Sequence, residues 1–244
     1  MRRLALALAL VVLPAEADDR RSGFDVMGPD TQAMQQDDTA NPGILWVRDG
    51  EALWTRADGG KSCAACHGAV ESMRGAAARY PVFDGAPLSL EQRINRCRTT
   101  HQGATPLAYE SQELLALTAV VAHQSRGLPI TPDADPHLGA VRAEGERLFR
   151  QRQGQLDLAC SQCHDDNAGK RLAGNLIPQG HPTGYPVYRL EWQGMGSLQR
   201  RLRNCQGAVR AEPYAYGSAE LVALEAYLMA RAGGMPLETP AVRP

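Results

Sequence analysis

Cys63-Ala64-Ala65-Cys66-His67 and Cys160-Ser161-Gln162-Cys163-His164 each place two thiols three residues apart, with a histidine directly after the second. Thiols so spaced on one helical turn can add to the two vinyl groups along one side of a porphyrin. The adjacent imidazole can then reach the iron. Each pentapeptide therefore reads as a covalent attachment site for haem c. Cys63, Cys66, Cys160 and Cys163 would carry the thioether links, and His67 and His164 would be the proximal iron ligands. A redox dithiol that happens to precede histidine would give the pattern once; two in one chain argue for two covalently bound haems.

Six cysteines are present, so Cys97 and Cys205 remain. One reading joins them in a disulfide; the other makes each a thiolate ligand on the far side of its own haem iron. Arg93 and Arg201 each precede their cysteine by four residues, which on a helix puts guanidinium and thiol on one face. A guanidinium there stabilises a thiolate and offers a planar fork of donors to an oxyanion. Arg200, Arg203 and Arg210 add positive charge around Cys205 in a chain of net charge −1, an arrangement suited to a small anionic substrate. Met195, between His164 and Cys205, is the other candidate for the second iron.

The elements that position these groups occur twice. Gly50-Glu51-Ala52-Leu53-Trp54 matches Gly145-Glu146-Arg147-Leu148-Phe149, an amphipathic helix ahead of each haem motif. Tyr80-Pro81-Val82-Phe83 matches Tyr185-Pro186-Val187-Tyr188 after it, and the helix from Leu90 to Cys97 matches that from Leu198 to Cys205. Glu113-Leu114-Leu115-Ala116-Leu117 matches Glu220-Leu221-Val222-Ala223-Leu224 in a closing helix, with a capping serine two residues earlier. Asn41-Pro42 and Asp135-Pro136 are read as N-cap and first helical residue. Cys97 and Cys205 thus stand at equivalent positions. That favours ligation, because a disulfide would require both to meet at a pseudo-symmetry axis. The loop after the motif spans 68–79 in one half and 165–184 in the other, so the second haem has a differently built surround.

The expected fold is mainly α: two tandem units like class I cytochrome c domains, related by internal duplication. Boundaries are set at 41–130 for the first haem unit, 131–134 for a breaker-rich linker and 135–236 for the second, catalytic unit. Residues 18–40 are read as a surface extension or partner-binding arm, and 237–244 as a tail. Residues 1–17 carry a basic start, the apolar run Leu4–Leu13 and a small-x-small site at Ala15–Ala17. They read as a signal peptide cleaved near Ala17, which places the mature chain in the periplasm. No other stretch is apolar enough to span a bilayer. The 43% hydrophobic and 22% charged composition excludes wholesale disorder, and a pI near 6.6 argues against nucleic-acid binding. Aromatics are only 5%, as suits cores built around haem.

Arg201-Leu202-Arg203-Asn204-Cys205, followed by Val209-Arg210-Ala211-Glu212-Pro213-Tyr214-Ala215-Tyr216-Gly217-Ser218, resembles the SoxA family, dihaem subunits of the SoxAX cytochromes. The likeness covers essentially the whole mature chain. The resemblance implies an L-cysteine S-thiosulfotransferase that couples thiosulfate oxidatively to a cysteine of the SoxYZ carrier. Electrons would leave through haem to SoxX, a monohaem cytochrome held in a heterodimer near the second haem. It further implies that Cys205, found in the family as a persulfide, and Arg201 are catalytic, and that His67 with Cys97 and His164 with Cys205 are the axial pairs. The rival reading is a dihaem electron carrier without sulfur chemistry; a dihaem peroxidase, which needs one open iron, is weaker.

Overall fold

In a computed structural model describing residues 18–244, both haem motifs fall on short helices braced by a pair of longer ones. The leader expected at 1–17 lies outside the described residues. The first half runs through helices α1 (Pro29–Gln36), α2 (Ile44–Thr55) and α3 (Ala64–His67). A small hairpin of β1 (Val82–Phe83) and β2 (Pro87–Leu88) follows, then α4 (Leu90–Cys97) and α5 (Gln112–His123). The second half repeats that order: α6 (His137–Arg150), α7 (Cys160–His164), strands, α8 (Leu198–Ala208) and α9 (Ala219–Arg231). Its additions are a hairpin, β3 (Arg171–Leu172) with β4 (Asn175–Leu176), in the longer loop after the motif. Next comes a three-stranded sheet of β5 (Val187–Arg189), β6 (Gly194–Gly196) and β7 (Ala241–Arg243). The protein is mainly helical, and no described helix is long and apolar enough to cross a membrane.

Each half is organised by one close helix crossing. A Cβ placed on Gly50 of α2 would lie 2.7 Å from Val120 Cβ on α5, and one on Gly145 of α6 would lie 2.7 Å from Tyr227 Cβ on α9. Glycine at these matched positions lets the backbones meet, and the apolar faces close around them. Val47, Trp54, Leu115 and Val120 pack in the first half, and Leu148, Phe149, Leu221 and Leu224 in the second. Serine side chains cap the later helices. Ser89, Ser111, Ser197 and Ser218 accept from the backbone N–H groups of Gln92, Leu114, Arg200 and Leu221. The Asx residues of the two pairs sit ahead of the N-cap, which falls on Gly43 and Pro136, rather than at it. Asn41 Oδ1 accepts from Gly43 N, and Asp135 Oδ1 from His137 N, at 2.9 and 2.8 Å.

The halves are joined by more than the linker. Ala77, Ala78 and Ala122 of the first half share an apolar cluster with Met229, Ala232 and Met235 of the second. Gln92 Nε2 donates to the Gly217 carbonyl at 3.0 Å, and Tyr109 stacks on Tyr216 at 5.5 Å. The segments on either side of the two haem units pack onto the second half. Residues 237–244 are no free tail: β7 runs parallel to β5, with Ala241 and Val242 fully buried, because the exposed edge of β5 offers backbone partners. Residues 18–40 are not a free arm either. Arg20 Nη1 donates to the carbonyls of Arg231 and Gly233, and Gln35 Oε1 accepts from Val242 N, which holds the segment on the second half.

Candidate haem sites

In the first half Trp54, buried on α2, donates its indole N–H to the Gly68 carbonyl at 2.9 Å and lays its ring 5.8 Å from His67. That contact fixes the end of α3, so Cys63, Cys66 and His67 leave a single turn. Cys97 ends α4 and shares an electrostatic neighbourhood with Cys63 and Cys66. Burial pushes its thiol up, and nearby Arg93 only partly offsets this. Gln102, on the wide turn Arg98–Gln102 that prolongs α4, donates to Cys63 Sγ at 3.3 Å. Arg93 is occupied elsewhere: its Nη1 lies 2.8 Å from Asp84 Oδ2, and Tyr80 also bonds to it.

In the second half His164 ends α7, and its Nδ1 lies 2.8 Å from the Pro178 carbonyl oxygen. A carbonyl can only accept, so Nδ1 carries the proton and Nε2 is left with its lone pair for a metal. Cys205 faces this imidazole from α8. Burial opposes its ionisation, but the His164 ring, Arg201 and Arg189 outweigh burial and hold the thiol below its ordinary value. Cys160 is pushed up to about 11 by burial and by the negative charges of Cys205 and Cys163 beside it. Arg201 is partly buried, yet Cys205, Tyr185 and Glu191 keep it firmly protonated. It makes no side-chain hydrogen bond or ion pair among the described residues.

All six cysteines are free thiols, and Cys97 and Cys205 belong to separate clusters, so the disulfide alternative is not formed. Met195 is not aimed at the second site. The β5–β6 register opposite Tyr188 sends it into the first half's core, among Ile44, Val47 and Val120. The arginine run also separates by direction. Arg200 stacks on Trp192 at 4.2 Å, and Arg203 lies over Tyr216 at 4.5 Å while donating to the Tyr214 carbonyl. Sequence reasoning missed Arg189, Tyr80 and Tyr185 as members of these sites. The signal was present in the matched Tyr-Pro-Val-aromatic segments and in the residue that follows each.

The donor chemistry suits haem c. Each half offers two thiols and an imidazole from one turn, and a cysteine from a different helix on the same neighbourhood. The SoxA/TsdA cytochrome c domain matches residues 49–130 and 144–237. The chain belongs to this cytochrome c family. Cytochrome c domains carry covalently bound haem c, and the residues described fit that group. The chain is 39% identical to the L-cysteine S-thiosulfotransferase subunit SoxA of Pseudaminobacter salicylatoxidans, over 93% of this chain and 82% of the relative. It is 38% identical to the subunit of the same name from Rhodovulum sulfidophilum, over 93% and 81%. The crystal structure of SoxXA from P. pantotrophus superposes with a TM-score of 0.90 at 33% identity, covering 92% of this chain and 87% of that one.

Proposed function

We propose that the protein is an L-cysteine S-thiosulfotransferase subunit that couples thiosulfate to a cysteine of a SoxYZ-type carrier and passes the electrons to a SoxX-type monohaem cytochrome. The relatives named for this activity cover most of the chain, and the solved relative is a SoxXA structure, which supports a heterodimer. The carrying observation is the environment of Cys205: a thiol held low by His164, Arg201 and Arg189, beside the Arg201 guanidinium, which pairs with no carboxylate among the described residues. A dihaem electron carrier has no need of that arrangement.

In this reading the two halves are duplicated haem units, 41–130 and 135–236 joined by 131–134, and the second is catalytic. Two haems attach at Cys63 and Cys66, and at Cys160 and Cys163. His67 with Cys97, and His164 with Cys205, would hold the irons. The chain works in the periplasm after removal of 1–17. When bound, haem c supplies an acceptor for electrons. Arg201 orients the oxyanion end of thiosulfate so that its outer sulfur meets Cys205 Sγ. A sulfur–sulfur bond forms there and two electrons leave, which makes a cysteine S-thiosulfonate. The carrier thiolate then attacks the sulfane sulfur, the bond to Cys205 breaks, and the Cys205 thiolate is regenerated. Net, one thiol and one thiosulfate give one carrier S-thiosulfonate, one proton and two electrons.

Incubating the holoprotein with thiosulfate, a carrier bearing one cysteine and a ferric cytochrome acceptor tests this. Mass spectrometry should show one added S–SO₃ group on the carrier per two electrons delivered. Electron transfer without carrier modification would overturn it.

A further inference from the structure

The two halves differ most sharply one residue past their matched Tyr-Pro-Val-aromatic strands. Asp84 follows β1 in the first half and Arg189 ends β5 in the second. Asp84 occupies the guanidinium that corresponds to Arg201: its Oδ2 lies 2.8 Å from Arg93 Nη1 and 3.3 Å from Arg96 Nη1, and its carbonyl accepts from Arg96 at 2.7 Å. Arg189 reverses the charge. Its side chain is 12% exposed, stacked 5.2 Å from Trp192, with Nε 3.0 Å from Glu191 Oε1. Nε is buried and out of line for a hydrogen bond to that carboxylate. The guanidinium shares one cluster with Arg201, Tyr185 and Cys205, and its terminal nitrogens have no partner among the described residues.

We propose that Arg189 is the second guanidinium of an oxyanion site over Cys205, and that the change from Asp84 to Arg189 at matched positions confines anion capture to the second half. This rests on Cys205 being the sulfur centre. A dianion brought to a thiolate is repelled, and one guanidinium offsets only part of its charge. Two convergent planar forks, one from α8 and one from β5, can hold two sulfonate oxygens and leave the outer sulfur facing Cys205. In the first half an anion reaching Arg93 would have to displace Asp84 and leave that carboxylate unpaired, so the same helix-borne Arg–Cys pair there captures none. The Trp192 ring, 5.2 Å from the Arg189 guanidinium carbon, limits where that fork can swing.

The test uses holoprotein with Arg189→Asp, Arg189→Lys and Asp84→Ala. Equilibrium dialysis of labelled thiosulfate reads binding directly, and carrier conjugation reads KM and kcat separately. Arg189→Asp, which recreates the first half's pairing, should weaken thiosulfate binding and raise its KM by about 10–100-fold. The KM for carrier should stay unchanged. Arg189→Lys should recover a large part of the loss, and Asp84→Ala, which frees Arg93, should leave KM and kcat for conjugation in place while dialysis gains a second, weaker thiosulfate site. A thiosulfate affinity within about twofold of wild type in Arg189→Asp would overturn the proposal. So would a loss confined to kcat, or a Lys variant as weak as Asp with both absorbing as intact haem proteins. Dialysis decides Arg189's role even if the wild-type protein fails to conjugate, a result that would instead overturn the proposed function.

Discussion

Arg93 is ion-paired with Asp84 at 2.8 Å, while Arg201, its counterpart one turn before Cys205, pairs with no carboxylate among the described residues. A guanidinium whose terminal nitrogen already holds a protein carboxylate has little left for a substrate, so of this matched pair Arg201 is the fork free to bind one. Lysine at 201 keeps the charge and loses the bidentate geometry. Arg201→Lys is expected to lower carrier conjugation by about 100-fold, in line with loss of a charge-assisted, two-point contact. Arg93→Lys should stay within about threefold of wild type, because lysine can still pair with Asp84. Mass-spectrometric conjugation rates for the two variants make the comparison. Equal losses would remove the distinction between the halves.

Cys97 and Cys205 lie in separate clusters, each with the motif cysteines of its own half. If each ligates its own iron, the oxidised holoprotein should give EPR signals of low-spin thiolate-ligated haem for both centres. Cys97→Ala should change one set of signals and leave conjugation intact; Cys205→Ala should change the other and abolish conjugation. Loss of both sets in a single variant would show that the assignment by halves is wrong.

The attachment motifs, the order of helices and the serine caps were legible because each rests on local spacing: thiols three positions apart, arginine and cysteine four positions apart, a serine directly ahead of each closing helix. What escaped depends on contacts distant in sequence. β5 finds its parallel partner in β7, more than fifty positions on, and three-residue strands such as Gly194–Gly196 carry no periodicity to betray them. Met195 looked like a ligand because it is close to Cys205 in sequence, but strand register decides which way it points. Helix geometry alone resolves the arginine run. At about 100° per residue, Arg200 and Arg203 leave the Cys205 face that Arg201 shares. Arg189 was hidden by the same matching that revealed the repeat, which stopped one residue short of the charge reversal.

Gly50 and Gly145 are where the two long-helix pairs touch. A methyl group at Gly145 would meet Tyr227 Cβ at 2.7 Å and press on the Ala223 backbone, which cannot swing aside as a flexible side chain could. Gly145→Ala is expected to destabilise the protein by about 1–3 kcal/mol despite alanine's better helix propensity. At about 2–4 °C per kcal/mol for a chain of this size, the thermal midpoint should fall by several degrees. Gly139→Ala, on the same helix with open space around it, is the control and should not lower the midpoint. Differential scanning calorimetry of the three holoproteins decides the matter. An unchanged midpoint for Gly145→Ala would mean that the crossing is looser than described.

Glu91 on α4 and Glu225 on α9 face one another across the joint between the halves, both fully enclosed, with Glu110 and Tyr109 adding to the environment of one or both. Burial raises both carboxyls, and each disfavours the other's charge; Gln199, matched to Glu91 in the repeat, only partly offsets this for Glu225. A carboxyl whose folded pKa lies above its unfolded value binds more protons when folded. Its contribution to stability is therefore intact below the unfolded pKa near 4.5 and is lost as pH rises toward the folded one. Glu225→Gln removes the titration while keeping the shape and the hydrogen-bonding capacity. It should match wild type near pH 5 and become the more stable protein as pH rises to 8, by at least the 2–4 °C that about 1 kcal/mol represents. Thermal midpoints of wild type and variant at several pH values give the answer. Parallel curves across that range would mean that the pair is ionised and matched by a cation, and a variant less stable at pH 8 would mean that the carboxylate charge itself holds the joint.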